Sequence, residues 1–525
     1  MKALNTAMLT IFVVLAFGTG LHAAPIAKCG GTLGTQFNLE PAANAAPQQM
    51  ESVDFITNRV ALGLDLVVAG ATDGRGLAPA GPAWDGSLSG YYVHRSTTAD
   101  CSPQFEGGLP NIVVAGKTFT GNGGPAIAAD MVRDAFFAAD VHFDLNDSLS
   151  GIGLFRVSSA ALLNATMCPN GTHTSAQATA CWAATAPVLI GEAASAGANP
   201  SQDFPSIAVD ERVSNSGLGA GDVYVAFGSG TVMTLAACKG TTLACSAPLT
   251  IGDSSDLGPI DARVEVRPDG IITVTYLDMS FSNSTDTIKF VSCKPAGAPK
   301  APVCAAPTVV ATESQSDGPS FFGQSLSGMN QLVLTFPKHA NRLEADGKTV
   351  TTFVVWDRCK TFFALLQQQS GLQTCLDSDV VMSTSTDGKT WSAAAPVNAG
   401  KGHQFFPSIS TDASTGTVNI AYYDTTGDLF KNRVRVSLNQ IARGSTTVGA
   451  LTHVTTTPAP WNADPRNNPF GLFDFDLRFG IKARGIGAVG QSHLYVSFTS
   501  TGDRPGTYHG IPVPEQNNNM QKLVY

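Results

Sequence analysis

The chain has 525 residues, 43% of them hydrophobic and only 14% charged, with a formal net charge of −9. That is more chain than one ordinary core requires, so either several domains or one large repeat architecture is expected. No basic run occurs anywhere, which excludes nucleic acid as a partner. The 53 glycines and 30 prolines, spread along the chain, favour short strands and turns over helices.

In chain order, Met1-Lys2, the apolar run Ala7–Phe17 and the small residues Ala23-Ala24 read as a secretory signal peptide over residues 1–24. Ile26-Ala27-Lys28-Cys29 is a poor lipoprotein signal, and no later segment is apolar enough to span a bilayer. A secreted or periplasmic monomer is therefore expected. Residues 25–50, rich in Ala, Pro and Gln, read as a flexible leader, and 51–525 as one repeat domain.

The repeat shows best in Phe204-Pro205-Ser206-Ile207-Ala208-Val209-Asp210 and Phe406-Pro407-Ser408-Ile409-Ser410-Thr411-Asp412. Each is followed by a turn and a second strand, Asp222–Phe227 and Thr417–Asp424. Weaker copies begin at Gly124 and Asp261, a degraded one covers Gln324–Asp357, and the last is Phe479–Ser500. A further signature, a large residue followed by Pro five positions later, recurs at Phe105…Pro110, Trp182…Pro187, Leu243…Pro248 and Trp391…Pro396. Short pairs of β-branched and aromatic strands in units of this size predict an all-β fold. The layout is a six-bladed β-propeller of four-stranded antiparallel blades, with the N-terminal hairpin Gly90–Asn111 completing the C-terminal blade. The strand-like residues 53–70 leave seven blades as the alternative.

Ten cysteines suit an oxidising compartment. Close spacing predicts the disulfides Cys168–Cys181, Cys238–Cys245, Cys293–Cys304 and Cys359–Cys375; elimination leaves Cys29–Cys101. No His partners accompany them, which argues against zinc.

Val381–Trp391 contains Ser385-Thr386-Asp387-Gly388-Lys389-Thr390-Trp391, or S-x-D-G-x-T-W. Asp-Gly makes a tight turn, and the Asp side chain can bond its own backbone. The stretch resembles the Asp-box, or BNR repeat, of the sialidase-like β-propellers, with Ser385, Asp387, Gly388 and Trp391 as its marks. The resemblance implies a propeller fold and a structural role for the motif. Active sialidases also carry three arginines, a Tyr–Glu pair, an acidic acid/base and an (F/Y)-R-I-P motif. Here Phe155-Arg156-Val157 lacks the proline and sits where a third strand should be. No three of Arg133, Arg212, Arg263, Arg358 and Arg478 share an equivalent position, and Tyr422 and Tyr423 have no Glu close by in sequence. A non-canonical member lacking the arginine triad is the expectation.

Second strands end alike, at Asp144, Asp278, Asp357 and Asp424, with Ser229 and Ser500 in the other two copies. In a propeller such positions form a ring at one end of the channel, where crowded carboxylates would share protons or hold a cation, calcium being the candidate. The alternative is that each Asp caps its own turn. His403, Gln404 and Phe405 enter a first strand on the same face and suit a sugar- or peptide-binding rim. No cofactor is expected. Two functions follow: an exported propeller binding an extracellular glycan or protein ligand, or a glycoside hydrolase using Asp144, Asp278, Asp357, Asp424 and Tyr423.

Overall fold

The computed structural model describes residues 26–27, 37–38, 48–58, 64–73, 89–96 and 103–524. The last range has breaks at 169–180, 195–201, 315–323, 364–373, 461–479 and 486–491, and others of one to five residues. Strands fall into seven small sheets, antiparallel except for one parallel pair, Gln324–Leu326 with Thr374–Ser385. These are the blades of a propeller. Their first strands are Gln48–Asn58, Ala126–Asp130, Gln202–Val209, Pro259–Val266, Lys338–Leu343, Gln404–Thr411 and Gly480–Gly485. Each touches the next in turn, and the last touches the first, so the ring closes.

Seven blades, the alternative count, is correct. Residues 53–70 lie in Gln48–Asn58 and Leu64–Asp73, the first two strands of blade 1. Ser89–Ser96 and Pro103–Gly108 complete that blade, so the hairpin predicted to finish the C-terminal blade belongs elsewhere. Blade 7 continues instead through Ser492–Tyr508 and Ile511–Val524. Ile26–Ala27 and Phe37–Asn38, within the predicted leader, pair on its outer edge. Ile511–Val524 reads IPVPEQNNNMQKLV, poor in β-branched residues and rich in Asn and Gln; thirteen-residue pairing with the preceding strand overrides its weak propensity. Blade 5 likewise opens at Lys338, not Gln324: its polar first strand, KHANRL, lacks the apolar pattern of the others.

Each blade-to-blade seam holds one apolar cluster, so seven clusters form a continuous annular core. Burying one large apolar side chain contributes about 1.5–3 kcal/mol, and here the gain comes only when neighbouring blades meet. Trp182, of the Trp182…Pro187 signature, packs edge-on to Tyr91 at the 1/2 seam. First strands are edge strands, so their inner polar groups have no ladder partner. Side chains of the preceding blade satisfy several: Ser52 accepts from Ile127 N–H at 3.0 Å, Ser206 from Val264 N–H at 3.0 Å and Ser410 from Ala483 N–H at 3.1 Å.

The four close cysteine pairs are bridged as predicted. Cys29 and Cys101 lie outside the described residues. In the Val381–Trp391 turn, Asp387 Oδ1 accepts from the Lys389 and Thr390 N–H groups at 2.8 and 2.7 Å and from Ser385 Oγ at 2.9 Å. Gly388 is left-handed at φ 67°, and an added Cβ there would meet the Phe290 ring of blade 4 at 2.8 Å. Trp391 packs edge-on to the same ring. The turn thus clamps its own hairpin and docks blade 5 on blade 4. Among the described residues no helix is long and apolar enough to cross a membrane.

Candidate functional site

Second-strand ends lie beside first-strand starts: Ser229 pairs with Gln202, Asp278 with Pro259 and Asp424 with Gln404. One end of the ring therefore carries the predicted carboxylates, but each is engaged differently and all four are buried. Asp144 accepts from Asn146 N–H at 2.9 Å. Asp424 accepts from Thr426 N–H at 2.7 Å and Ser437 Oγ at 3.1 Å. Asp278 accepts from Leu257 and Gly258 N–H groups and pairs with Lys289 at 3.1 Å. Neither oxygen of Asp357 has a hydrogen-bond partner. Burial pushes its carboxyl well above the ordinary carboxylate range, against opposing pulls from Phe406 N–H and Lys338. Ser500 sits in the long second strand of blade 7, opposite Asn517.

His403 and Gln404 are fully buried, as is Phe405, which stacks on Tyr423 with ring centroids 5.4 Å apart. His403 Nε2 contacts Ser327 O at 2.9 Å, and burial lowers its pKa to about 4. The Tyr423 hydroxyl donates to Thr499 O and accepts from Thr499 N–H, at 2.8 and 3.0 Å. Burial raises its pKa above the ordinary tyrosine value. None of the four second-strand aspartates lines the axial cavity, and none of His403, Gln404, Phe405 or Tyr423 does. Among the described residues, no group of three or more His, Cys, Asp or Glu side chains could hold a metal ion.

The same end of the ring carries a repeated bulge. Phe204, Asp261 and Phe406 occupy equivalent first-strand positions at φ 50°, 49° and 49°, each where the strand register slips. Such residues cost about 1–3 kcal/mol apiece and persist only where surrounding contacts hold them. Here Phe204 meets Phe336 at 5.6 Å and Asp261 pairs with Lys338 at 2.5 Å.

Beyond the bulges lies a cavity of about 600 Å³ lined by all seven first strands and the turns that follow them. No aromatic side chain lines it. Arg484 of blade 7 spans one side. It grips Asp54 of blade 1 at 2.9–3.1 Å and Glu211, in the turn after blade 3's first strand, at 2.7–2.8 Å. Glu211 also accepts from Met131 N–H of blade 2 at 2.8 Å. Burial alone would raise the Asp54 carboxyl. The charges of Arg484 and Lys482 and the Ala129 N–H outweigh it and hold that carboxyl below its ordinary value. Lys482 stands 3.5 Å from Asp54, and Arg263 pairs with Glu265 at 2.6 Å. Lys482, Arg263, Glu265 and Glu211 remain 25%, 27%, 22% and 32% exposed, so acceptors and donors of both signs face the cavity.

Turn arginines bind successive blades around the cavity mouth. Arg133 donates to Arg212 O at 2.9 Å, Arg212 to Asp269 O at 3.1 Å, and Arg342 to Ala442 O and Ser445 O at 2.9 and 2.8 Å. Sequence reading had Arg133 and Arg212 near strand ends but missed Asp54, Glu211, Lys482 and Arg484. The signal was there: Lys-Ala-Arg at 482–484 and Arg-Val-Glu at 263–265 are alternating charges in first strands of a chain only 14% charged.

No family model matches the chain, and no curated protein matches it. Solved structures that it resembles include an N-acetylgalactosamine deacetylase from F. plautii in complex with blood group B trisaccharide. That match has 9% identity, a TM-score of 0.33, and covers 62% of this chain and 89% of that one. Another is the GH93 alpha-L-arabinofuranosidase of Fusarium graminearum with arabinobiose, at 8% identity and TM-score 0.33, covering 62% and 93%. A third is the Penicillium chrysogenum alpha-L-arabinanase complexed with arabinobiose, at 10% identity and TM-score 0.34, covering 62% and 93%. Likeness at this level carries no argument about activity.

Proposed function

We propose that this protein is an exported, sialidase-like propeller that binds an extracellular glycan or another polar ligand without turning it over, and that the ligand occupies the axial cavity. The observation that carries the reading is the cavity itself: about 600 Å³, bordered by every blade, with part-exposed Lys482, Arg263, Glu211 and Glu265 around it. Cavities of this size hold small ligands, and paired ionic side chains offer the bidentate hydrogen bonds that hydroxyl-rich ligands use. The four disulfides support an oxidising compartment.

Against catalysis in the cavity, each of its part-exposed carboxylates is tied to an arginine, and Asp54 is held ionised. Glycoside hydrolysis needs a carboxyl that can donate a proton. One observation favours the hydrolase reading at the other end of the ring: burial pushes the Asp357 carboxyl well above the ordinary carboxylate range. A substrate would have to reach it past Phe406.

The test is a glycan array followed by calorimetry on the best binder, run beside a panel of fluorogenic glycosides. Lys482→Ala and Arg263→Ala are expected to weaken binding about tenfold each, the worth of one charge-assisted contact. Binding indifferent to both substitutions would remove the cavity from consideration. Turnover abolished by Asp357→Asn would replace this reading with the hydrolase.

A further inference from the structure

The seven seams are not alike. Among the described residues, the 7/1 and 4/5 seams hold the smallest apolar clusters, with eight and nine buried residues against eleven to nineteen elsewhere. Those two seams are also where ion pairs with a buried acid cross from blade to blade, the cation buried at 7/1 in Arg484 and Lys522 and part-exposed at 4/5 in Lys338 and Arg358. At 7/1, Asp54 takes Arg484 and Lys482, while Asp65 takes His493 Nδ1 at 2.5 Å, Tyr495 Oη at 2.6 Å and Lys522 Nζ at 3.0 Å. Both acids belong to blade 1 and all five partners to blade 7. At 4/5, Asp261 meets Lys338, and Glu313 is gripped by Arg358 and by Trp356 Nε1 at 2.8 Å. Between other neighbouring blades the described ion pairs reduce to Lys431–Asp377, long at 3.8 Å and part-exposed.

Apolar contact tolerates small displacements because it is non-directional. A buried ion pair does not: its desolvation cost is fixed, and its attraction depends on geometry, so it adds little net stability over apolar packing of similar volume. The 7/1 network is also incompletely satisfied, since Asp65 Oδ1 has no hydrogen-bond partner. Seams built this way lose their attraction on a small displacement.

We propose that the propeller consists of two stiff arcs, blades 1–4 and blades 5–7, which part at the 7/1 and 4/5 seams before either arc unfolds. Both seams border the axial cavity, Asp54, Lys482 and Arg484 from one and Arg263 and Asn341 from the other. Parting therefore opens the cavity sideways. The inference rests on contacts between blades and holds whether or not the cavity takes a ligand.

Thiol labelling reads this against the unsubstituted chain, whose own rate sets the background from Cys29 and Cys101; the other eight cysteines are disulfide-bonded. Single cysteines at Ala69→Cys (7/1) and Val354→Cys (4/5) are compared with Ala138→Cys (1/2), Ala226→Cys (3/4) and Ala421→Cys (6/7), all at buried positions. In urea below the unfolding midpoint, the first two should label about tenfold faster or more than the controls, with far-UV circular dichroism unchanged. Equal rates, or a control labelling first, would overturn the two arcs. A wedge sharpens the result. At Gly480 an added Cβ would meet Val53 N of blade 1 at 2.6 Å and Ser52 C at 2.8 Å. Gly480→Ala should accelerate labelling at Ala69→Cys and leave Ala226→Cys unaffected. Should the cysteine variants fail to fold, small-angle scattering of the unaltered chain decides: an increase in radius of gyration preceding loss of strand signal supports parting, and coincident transitions refute it.

Discussion

Asp54 and Asp357 are both buried aspartates in the same ring, each near the axis side of a blade, yet their chemistry is opposite. Asp54 faces Arg484, Lys482 and a backbone N–H, and stays ionised. Asp357 has only the Phe406 N–H and the charge of Lys338 against its burial, and is pushed well above the carboxylate range. Burial is common to both, so the residue across the seam decides the ionisation state. Identical side chains, one in a first strand and one in a second strand, therefore differ in acidity according to what faces them.

The largest expected effect breaks the first half of that comparison. Asp54→Ala strips Arg484 of its main partner while leaving it buried, and should cost about 3 kcal/mol or more in urea unfolding at pH 7. Pairing it with Arg484→Met should restore much of the loss, since the uncompensated charge is what destabilises. No recovery in the double variant would mean that Arg484 does more than neutralise Asp54.

Next comes the pH dependence of stability. Burial holds His403 at about 4 and His339 at about 3, below the ordinary histidine value. Their unfolded forms bind more protons, so stability is complete above pH 6.5 and falls as pH drops toward 4, by up to about 3 kcal/mol for each histidine. His142, raised by Asp140 despite its burial, acts the other way, its contribution being lost as pH rises through its folded value. Asp54 and Asp65, both lowered, add a second loss below about pH 4. The expected profile of unfolding midpoints is a two-stage acid decline, with the first stage shallower in His339→Gln. A midpoint flat from pH 7 to pH 5 would rule out the histidine stage.

Asp357→Asn tests the second half. A raised carboxyl contributes stability in acid that is lost as pH rises from 3.8 toward the folded value, because the native state holds the proton longer. The amide removes that loss, so the variant should gain about 1 kcal/mol at pH 7 and nothing at pH 3. Destabilisation at neutral pH would show that the carboxylate has a partner after all.

The smallest effect concerns Asp387, whose carboxyl is held well below the ordinary carboxylate range by turn N–H groups rather than by charge. Asp387→Ala should lower Tm by about 2 °C or less, since the turn is solvent-exposed and the ring is large. A larger drop would mean that docking of this turn on Phe290 governs the 4/5 seam.

Much of this fold was legible in residue order. Phe-Pro-Ser-Ile repeats, paired cysteines and the S-x-D-G-x-T-W turn each report local chemistry: alternation of side chains, short loops to bridge, a carboxylate reaching its own backbone. The four close disulfides and the Asp387 turn could be placed without coordinates for the same reason. The strands that escaped notice were those with weak local preference, Lys338–Leu343 and Ile511–Val524, which become strands because neighbours supply their ladders.

The candidate site was legible only in part. That Asp144, Asp278, Asp357 and Asp424 end second strands follows from pattern; what each one touches does not. Asp54 and Arg484 are 430 positions apart, and no local rule could bring them together. The sequence alone determined strand content, blade periodicity and the clamps on individual hairpins, because these depend on neighbours within a few residues. Tertiary structure decided how many blades close the ring, which seams carry charge and where the cavity lies, because those depend on ends of the chain that meet only once the circle is complete.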